Sequence, residues 1–327
     1  MILHENEEQF YDAVEDTAEH FNIPEDYVIK DYFLTRALKY LSNSNCFDYV
    51  VFKGGTSLSK VFKAIHRFSE DIDLVILDPE SLSGSQKQTR GKNIIKAASQ
   101  GLRKDETFRG TRGSFFNKIR YHIPMLENSD LGEVANTILI ECNSFSKPVP
   151  VDVYPIRSLI AEYVLKTQEG SDELITQFEL QDFKLKVLKS TRTLTEKVMG
   201  LIKFAYKNEL SGKSRHFYDI TMLLRDDDMK VFLQDDVEFF KLLSCVIEND
   251  ANLEKSGQAP WIDNTPNLAE SEFFKDTETS FNLIASEYNG DFDKMITKKE
   301  TKPDKDEIIV TLELVRQRLF DYYQAQQ

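Results

Sequence analysis

Two short stretches carry residue types whose spacing could do chemistry. The first is Lys53-Gly54-Gly55-Thr56-Ser57-Leu58, and the second is Arg67-Phe68-Ser69-Glu70-Asp71-Ile72-Asp73-Leu74. Paired glycines let the backbone pass close to a bound group. A helix starting behind them presents N–H groups that no intrahelical carbonyl uses. With the Thr56 and Ser57 hydroxyls, and Lys53 beside them, this is a cradle for phosphate oxygens. Asp71 and Asp73 lie two residues apart, so on a strand both carboxylates leave one face while Ile72 and Leu74 turn to the core. Like charges this close repel unless a cation sits between them. A hard divalent ion, Mg²⁺ or Mn²⁺, held by these carboxylates and by the oxygens of a phosphate substrate, resolves the repulsion. Ser69 shares that acidic face if the strand reaches back to it, where it would contact a phosphate or become modified itself.

The elements that must position these groups are partly legible. Tyr49-Val50-Val51-Phe52 is a short apolar, β-branched run and reads as a strand ending at Gly54-Gly55. Thr56 is placed to cap a helix carrying Leu58, Val61, Phe62 and Ile65. A second strand runs from Ile72 to Leu77. Upstream, residues 6–42 have helical periodicity in two segments, the second starting near Ile23-Pro24-Glu25-Asp26. Residues 79–86 read as a polar loop, a basic helix follows to about Lys104, and 108–113 reads as flexible. Strands are expected near Ser114–Ile123, Thr137–Cys142 and Val149–Tyr154. From Thr193 onward helical patterns dominate, at Leu194–Tyr206, Phe217–Leu224, Val237–Ile247 and about Asp306–Tyr323, with a long loop over 249–268. The fold class expected is α+β, with a mixed sheet flanked by helices over residues 1–190 and a helical domain over 191–327.

Composition bounds the function. The chain has 327 residues, 41% hydrophobic and 29% charged, enough apolar material for a core and too much for a disordered chain. Cys46, Cys142 and Cys245 are odd in number and widely spaced, which excludes a disulfide framework or a zinc cluster. They read as small buried hydrophobes. No run of about 18 apolar residues is present, and the acidic N-terminus lacks the apolar core of a signal peptide, so the cytoplasm is the expected compartment. A net charge of −14 argues against a protein that coats nucleic acid. The charge is uneven, however. Residues 87–121 carry ten Lys/Arg against Asp105 and Glu106, a local +8, and residues 181–216 carry nine against three acids, a local +6. These are either solvated helix faces or a confined polyanion site. Phe108, Phe115, Phe116 and Tyr121, interleaved with the first, could stack on unpaired bases or belong to the core.

The order strand, Gly-Gly, helix, Asp-x-Asp strand resembles the DNA polymerase β-type nucleotidyltransferase superfamily. The 15 residues between Gly55 and Asp71 make a somewhat longer gap than is usual there. The wording KGGTSLSK with RFSEDIDL is similar to the AbiEii/AbiGii toxins of type IV toxin–antitoxin and abortive-infection systems. Thr195-Glu196-Lys197-Val198 with Arg215-His216-Phe217-Tyr218-Asp219 resembles the family's later Glu-Lys and Arg-x-x-x-Asp, and Lys30-Asp31-Tyr32 an earlier element; the blocks span roughly residues 28–225. The resemblance implies an enzyme that moves a nucleoside monophosphate from an NTP to an acceptor. An RNA is favoured, through the 3′ end of tRNA, which would block translation, and a cognate antitoxin is the implied partner. It implies a third metal carboxylate, Glu141, with Asp152 as the competing candidate. It makes Lys197 the cation for the nucleotide's phosphates or the leaving pyrophosphate. Asp219 becomes a base for the acceptor hydroxyl, an orienting group for Lys197 or Arg215, or a salt-bridge partner of Arg215. His66 reads as a packing histidine. The rivals are a transferase acting on a protein or small-molecule hydroxyl, and a nucleotide-binding module that works through a protein partner without turnover.

Overall fold

In the computed structural model, which describes residues 1–126, 136–255 and 261–327, the chain divides into two units. The first comprises 1–62 and 68–188, the second 63–67 and 189–327. The chain therefore crosses between units three times, and a five-residue strap, 63–67, is counted with the second unit although it lies inside the first in sequence.

The first unit is a mixed sheet flanked by helices. Its strands are β1 (Val50–Lys53), β2 (Asp71–Ile76), β3 (Arg103–Lys104), β4 (Thr111–Arg112), β5 (Phe116–His122), β6 (Thr137–Asn143), β7 (Val151–Ile156) and β8 (Phe183–Leu188). The order across the sheet is β3-β5-β6-β2-β1-β8-β7, with β4 pairing off the path against β5. β1 runs antiparallel to β2, while β2 is parallel to β6 and β1 to β8. Its helices are α1 (Glu7–Phe21), α2 (Glu25–Ser42), α3 (Gly54–Lys60), α4 (Gly84–Ala98), α5 (Leu159–Thr167) and α6 (Ser171–Gln177). The core holds Phe10 and Val14 of α1, Phe33 and Leu38 of α2, Ile94 of α4, and Phe52, Ile72, Leu74, Ile140 and Leu185 of the strands. The strands at the centre are apolar because both sheet faces there are covered.

The second unit is helical. It contains α7 (Ser190–Tyr206), α8 (Ser214–Leu223), α9 (Asp227–Gln234), α10 (Asp236–Lys255), four short helices, α11 (Glu272–Lys275), α12 (Thr277–Asn282), α13 (Ala285–Asn289) and α14 (Asp291–Lys294), and the long α15 (Lys305–Ala325). Phe217, Leu243, Phe273, Ile308, Leu312 and Val315 are fully buried in it. Among the described residues, no helix is long and apolar enough to cross a membrane.

Several local expectations are corrected. The helix after the glycines begins at Gly54 and ends at Lys60, so Val61, Phe62 and Ile65 lie beyond it, and Thr56 sits inside rather than at its cap. Residues 79–86 are not one loop: Pro79–Ser81 form a 3-10 turn, and α4 starts at Gly84 behind a capping box of Ser83 and Gln86. Thr111 and Arg112, inside the stretch read as flexible, pair with Lys118 and Asn117. α10 extends to Lys255, shortening the loop read over 249–268, of which 256–260 lie outside the described residues. β8 was not foreseen. Its Phe183, Leu185 and Val187 alternate with Lys184 and Lys186 inside a stretch that reads as basic, yet it lies between β1 and the edge strand β7.

Candidate functional site

The two chemical stretches interlock within the first unit. β1 and β2 pair so that Lys53 stands opposite Asp73. The chain then turns at Gly54, whose φ is +81°. A Cβ on Gly54 would fall 2.1 Å from Asp73 Oδ2, so the space a side chain would need is filled by the carboxylate itself. This is what the glycine is for: left-handed backbone and an acid packed on its Cα, neither compatible with an L side chain.

The hydroxyls expected to meet phosphate are used to fasten this turn. Thr56 is buried, donates to the Asp71 carbonyl and lies 2.9 Å from Ser69 Oγ. Ser57, also buried, donates to Gly54 O at 2.8 Å. Ser69 precedes β2, which starts at Asp71, so it is not on a continuing strand with the two acids; it is joined to the site through Thr56. Glu70 is buried against Lys30 of α2 at 3.1 Å. Phe68 stacks on Tyr27, with centroids 3.9 Å apart. Asp31 accepts from Lys60 of α3 at 2.5 Å and from Leu159 N at 2.8 Å. The Lys30-Asp31 element therefore anchors both ends of the segment that carries α3 into β2.

Asp71 and Asp73 leave the same face of β2, while Ile72 and Leu74 are fully buried behind them. Glu141 stands in register with Asp73 on the neighbouring parallel strand, and Lys118 in register with Glu141 on the next. At this level the sheet presents two adjacent acids, Asp73 and Glu141, flanked by Lys53 on one side and Lys118 on the other. Lys118 Nζ lies 2.6 Å from Glu141 Oε1. Among the described residues no three His, Cys, Asp or Glu side chains are gathered to hold a metal, so the expected trio is not preassembled. Two carboxylates on one strand face, supplying hard oxygen donors, still fit a Mg²⁺ or Mn²⁺ ion completed by phosphate oxygens. Asp152 lies on β7, at the sheet edge three strands from β2, exposed and accepting from its neighbour Val153 N. The sheet order thus separates it from Asp71 and Asp73.

The second unit holds the other predicted residues. Asp219 of α8 is completely buried. Arg67 of the strap meets it in a two-pronged pair, Nε to Oδ1 and Nη2 to Oδ2, each 2.7 Å. Lys197 of α7 reaches Oδ2 at 2.7 Å, with its side chain 11% exposed. Burial alone would raise the Asp219 carboxyl, but the Arg67 guanidinium and the Lys197 ammonium outweigh it and hold the group well below the ordinary carboxylate range. A carboxylate so placed is a poor proton acceptor, which speaks against the expected role as a base. Its ion-pair partner is Arg67, not the Arg215 considered from sequence; Arg215 Nη2 instead lies 3.5 Å from Met295 Sδ. Next to this trio, His216 packs against Gly200 and edge-on to Phe204, and its burial, then Lys197, press its pKa well below 6.5. His66 holds the strap through its backbone, donating N–H to the Tyr218 hydroxyl and accepting from Thr297 N.

Sequence reasoning named Arg67 inside its motif but gave it no role, because its partner lies 152 residues further on. Glu70 and Lys118 were missed for the same reason.

Among solved structures, a provisionally assigned nucleotidyltransferase from H. pylori aligns at 13% identity over 92% of this chain and 97% of that one, with a TM-score of 0.42. MenT4, a nucleotidyltransferase toxin of Mycobacterium tuberculosis, aligns at 16% identity over 92% and 98%, with a TM-score of 0.45. A search of curated proteins finds no match. The family model described as nucleotidyl transferase AbiEii toxin, type IV toxin–antitoxin system, matches residues 36–311. That span is most of the chain and includes the Gly-Gly turn, the Asp-x-Asp strand, Lys197 and Asp219, and the chain belongs to the AbiEii family of nucleotidyltransferase toxins.

Proposed function

We propose that this protein transfers a nucleoside monophosphate from an NTP to a hydroxyl of an RNA, the 3′ end of tRNA being the favoured acceptor, and so blocks translation. The observation that carries the reading is the interlock of Gly54 with Asp73, which commits a glycine turn to seating one acid of a same-face pair. In this reading Asp71 and Asp73 hold a Mg²⁺ or Mn²⁺ ion, which when bound offsets charge on the nucleotide's phosphates. Glu141 adjoins the pair and is shared with Lys118. Lys53 and the backbone of Gly54 and Gly55 line the phosphate side of the turn, with Thr56, Ser57 and Ser69 holding its shape. Lys197 takes charge on the terminal phosphates or on the departing pyrophosphate. The acceptor oxygen forms a bond to the α-phosphorus as the bond from that phosphorus to the bridging oxygen of the pyrophosphate breaks. Asp219 positions Lys197 and touches no reacting atom. Family membership further implies a cognate antitoxin that restrains the enzyme.

The RNA acceptor is favoured by the basic surface of the first unit. Arg109 and Arg112 are exposed, Phe115 is 56% exposed, and Arg120 lies over the Phe108 ring at 4.2 Å. A cation-rich face with accessible rings suits a phosphate backbone with unpaired bases. Phe116 and Tyr121, by contrast, lie on β5, and Tyr121 is core.

The test is a transfer assay with total tRNA, Mg²⁺ and each labelled NTP, alongside Asp71→Ala/Asp73→Ala. Label on RNA that disappears in the double variant is the expected result. Label on a protein band would move the acceptor to protein. Nucleotide binding without any label transfer would leave a non-catalytic module.

A further inference from the structure

We propose that Arg67 is a positioning residue for Lys197, acting through Asp219, so that the arginine opening the RFSEDID stretch sets the cation offered to the nucleotide. The proposal rests on the reading of Lys197 as a phosphate-binding group.

Its argument is one of charge and of valence. Asp219 and Lys197 alone would make a neutral buried pair, and a lysine fully compensated by its own counter-ion attracts a phosphate weakly. Arg67 changes the sum. Its guanidinium takes Oδ1 and shares Oδ2, so the single Asp219 carboxylate divides its charge between two cations, while Lys197 spends one N–H on Oδ2. Arg67 and Asp219 are 2% and 0% exposed, whereas Lys197 retains access at 11%. The Lys197 ammonium, compensated only by a carboxylate it shares, is therefore the member of the trio open to a ligand. The fork also fixes the carboxylate plane, since two parallel N–H···O bonds leave it no rotation, and that plane aims the Lys197 ammonium.

The base of the fork is itself clamped. His66 N–H donates to the Tyr218 hydroxyl at 3.1 Å, next in sequence to Asp219, and Thr297 N–H donates to His66 O at 2.9 Å. Arg67 pairs with Ile296 as an isolated bridge. A residue needed only for packing would not require a bidentate ion pair of this geometry, because burying charge is costly and an apolar side chain would fill the space.

The experiment is a double-mutant cycle on nucleotide affinity, using the full chain, Mg²⁺ and the α,β-methylene analogues of the four NTPs, read by titration calorimetry. The variants are Arg67→Met, Lys197→Met and the pair, with Arg67→Lys as a milder variant that keeps the charge but not the fork. Thermal unfolding of each reports folding separately. Both single methionine variants should weaken analogue binding about tenfold, the double variant no further than Lys197→Met, and Arg67→Lys about threefold only when Lys197 is present. An Arg67→Met or Arg67→Lys effect that persists undiminished without Lys197 overturns the proposal while leaving Lys197 in place. A Lys197→Met protein that binds the analogues like the parent overturns the reading of Lys197 itself.

Discussion

Asp219 shows how little of a residue's chemistry follows from its type. With a guanidinium and an ammonium on its two oxygens and no exposure, it is a counter-ion. Asp219→Ala would remove the counter-ion that Arg67 and Lys197 share, and we expect a loss of about 3–5 kcal/mol in urea-denaturation stability at neutral pH. Its pH dependence follows from the direction of its shift. A carboxyl held low in the folded state contributes fully above the unfolded pKa of about 3.9 and loses that contribution only as pH falls below it. His216 acts at higher pH. Held neutral by burial, it resists a proton that the unfolded chain accepts below about pH 6.5, so stability should decline as pH falls through that value, by up to about 1.4 kcal/mol per pH unit. Urea melts at pH 7.5 and 5.5 should show that decline, and His216→Gln should reduce it. A residual slope is expected, because burial also lowers His4 and His66.

At the scale of elements, the decisive feature is the turn between β1 and α3. The backbone at Gly54 is left-handed and its Cα is covered by Asp73. Gly54→Ala should cost roughly 1–3 kcal/mol of stability through strain and displacement. It should also weaken Mn²⁺ binding, measured by electron paramagnetic resonance, as much as Asp73→Asn does. Normal Mn²⁺ affinity in Gly54→Ala would mean that Asp73 does not hold the ion. The Lys30–Glu70 pair works on the same segment from the other side: both side chains are buried, and Lys30→Met should remove a buried counter-ion from Glu70, lowering the urea midpoint by the equivalent of about 3–5 kcal/mol.

For the molecule as a whole, net charge and local charge point in opposite directions. An overall −14 disfavours general attachment to nucleic acid, while Arg109 and Arg112 on the β4 side of the first unit are exposed and basic. If they neutralise two phosphates of a single-stranded acceptor end, replacing both with Ala should reduce the log–log salt slope of RNA binding by about 1.4. Filter binding from low to moderate salt reads that slope directly. An unchanged slope would remove this face from the acceptor site.

The sequence by itself determined what is local. The β-branched run of β1, the glycines that end it, the two-residue spacing of Asp71 and Asp73, and the helical periods of α1, α2, α7 and α15 are all read within a few residues, because strand and helix geometry repeat over that distance. Only the tertiary structure decided which partners those groups meet. Thr56 looked like a helix cap and proved to be a tie to the Asp71 carbonyl. Lys184 and Lys186 masked β8, since alternation is ambiguous until a neighbouring strand exists to pair with. Glu141 acquired Lys118, and Asp219 acquired Arg67, through sheet register and through a strap counted with the second unit. Burial and charge pairing are properties of distance in space, and for these residues that distance is set by contacts spanning from tens of positions to more than a hundred along the chain.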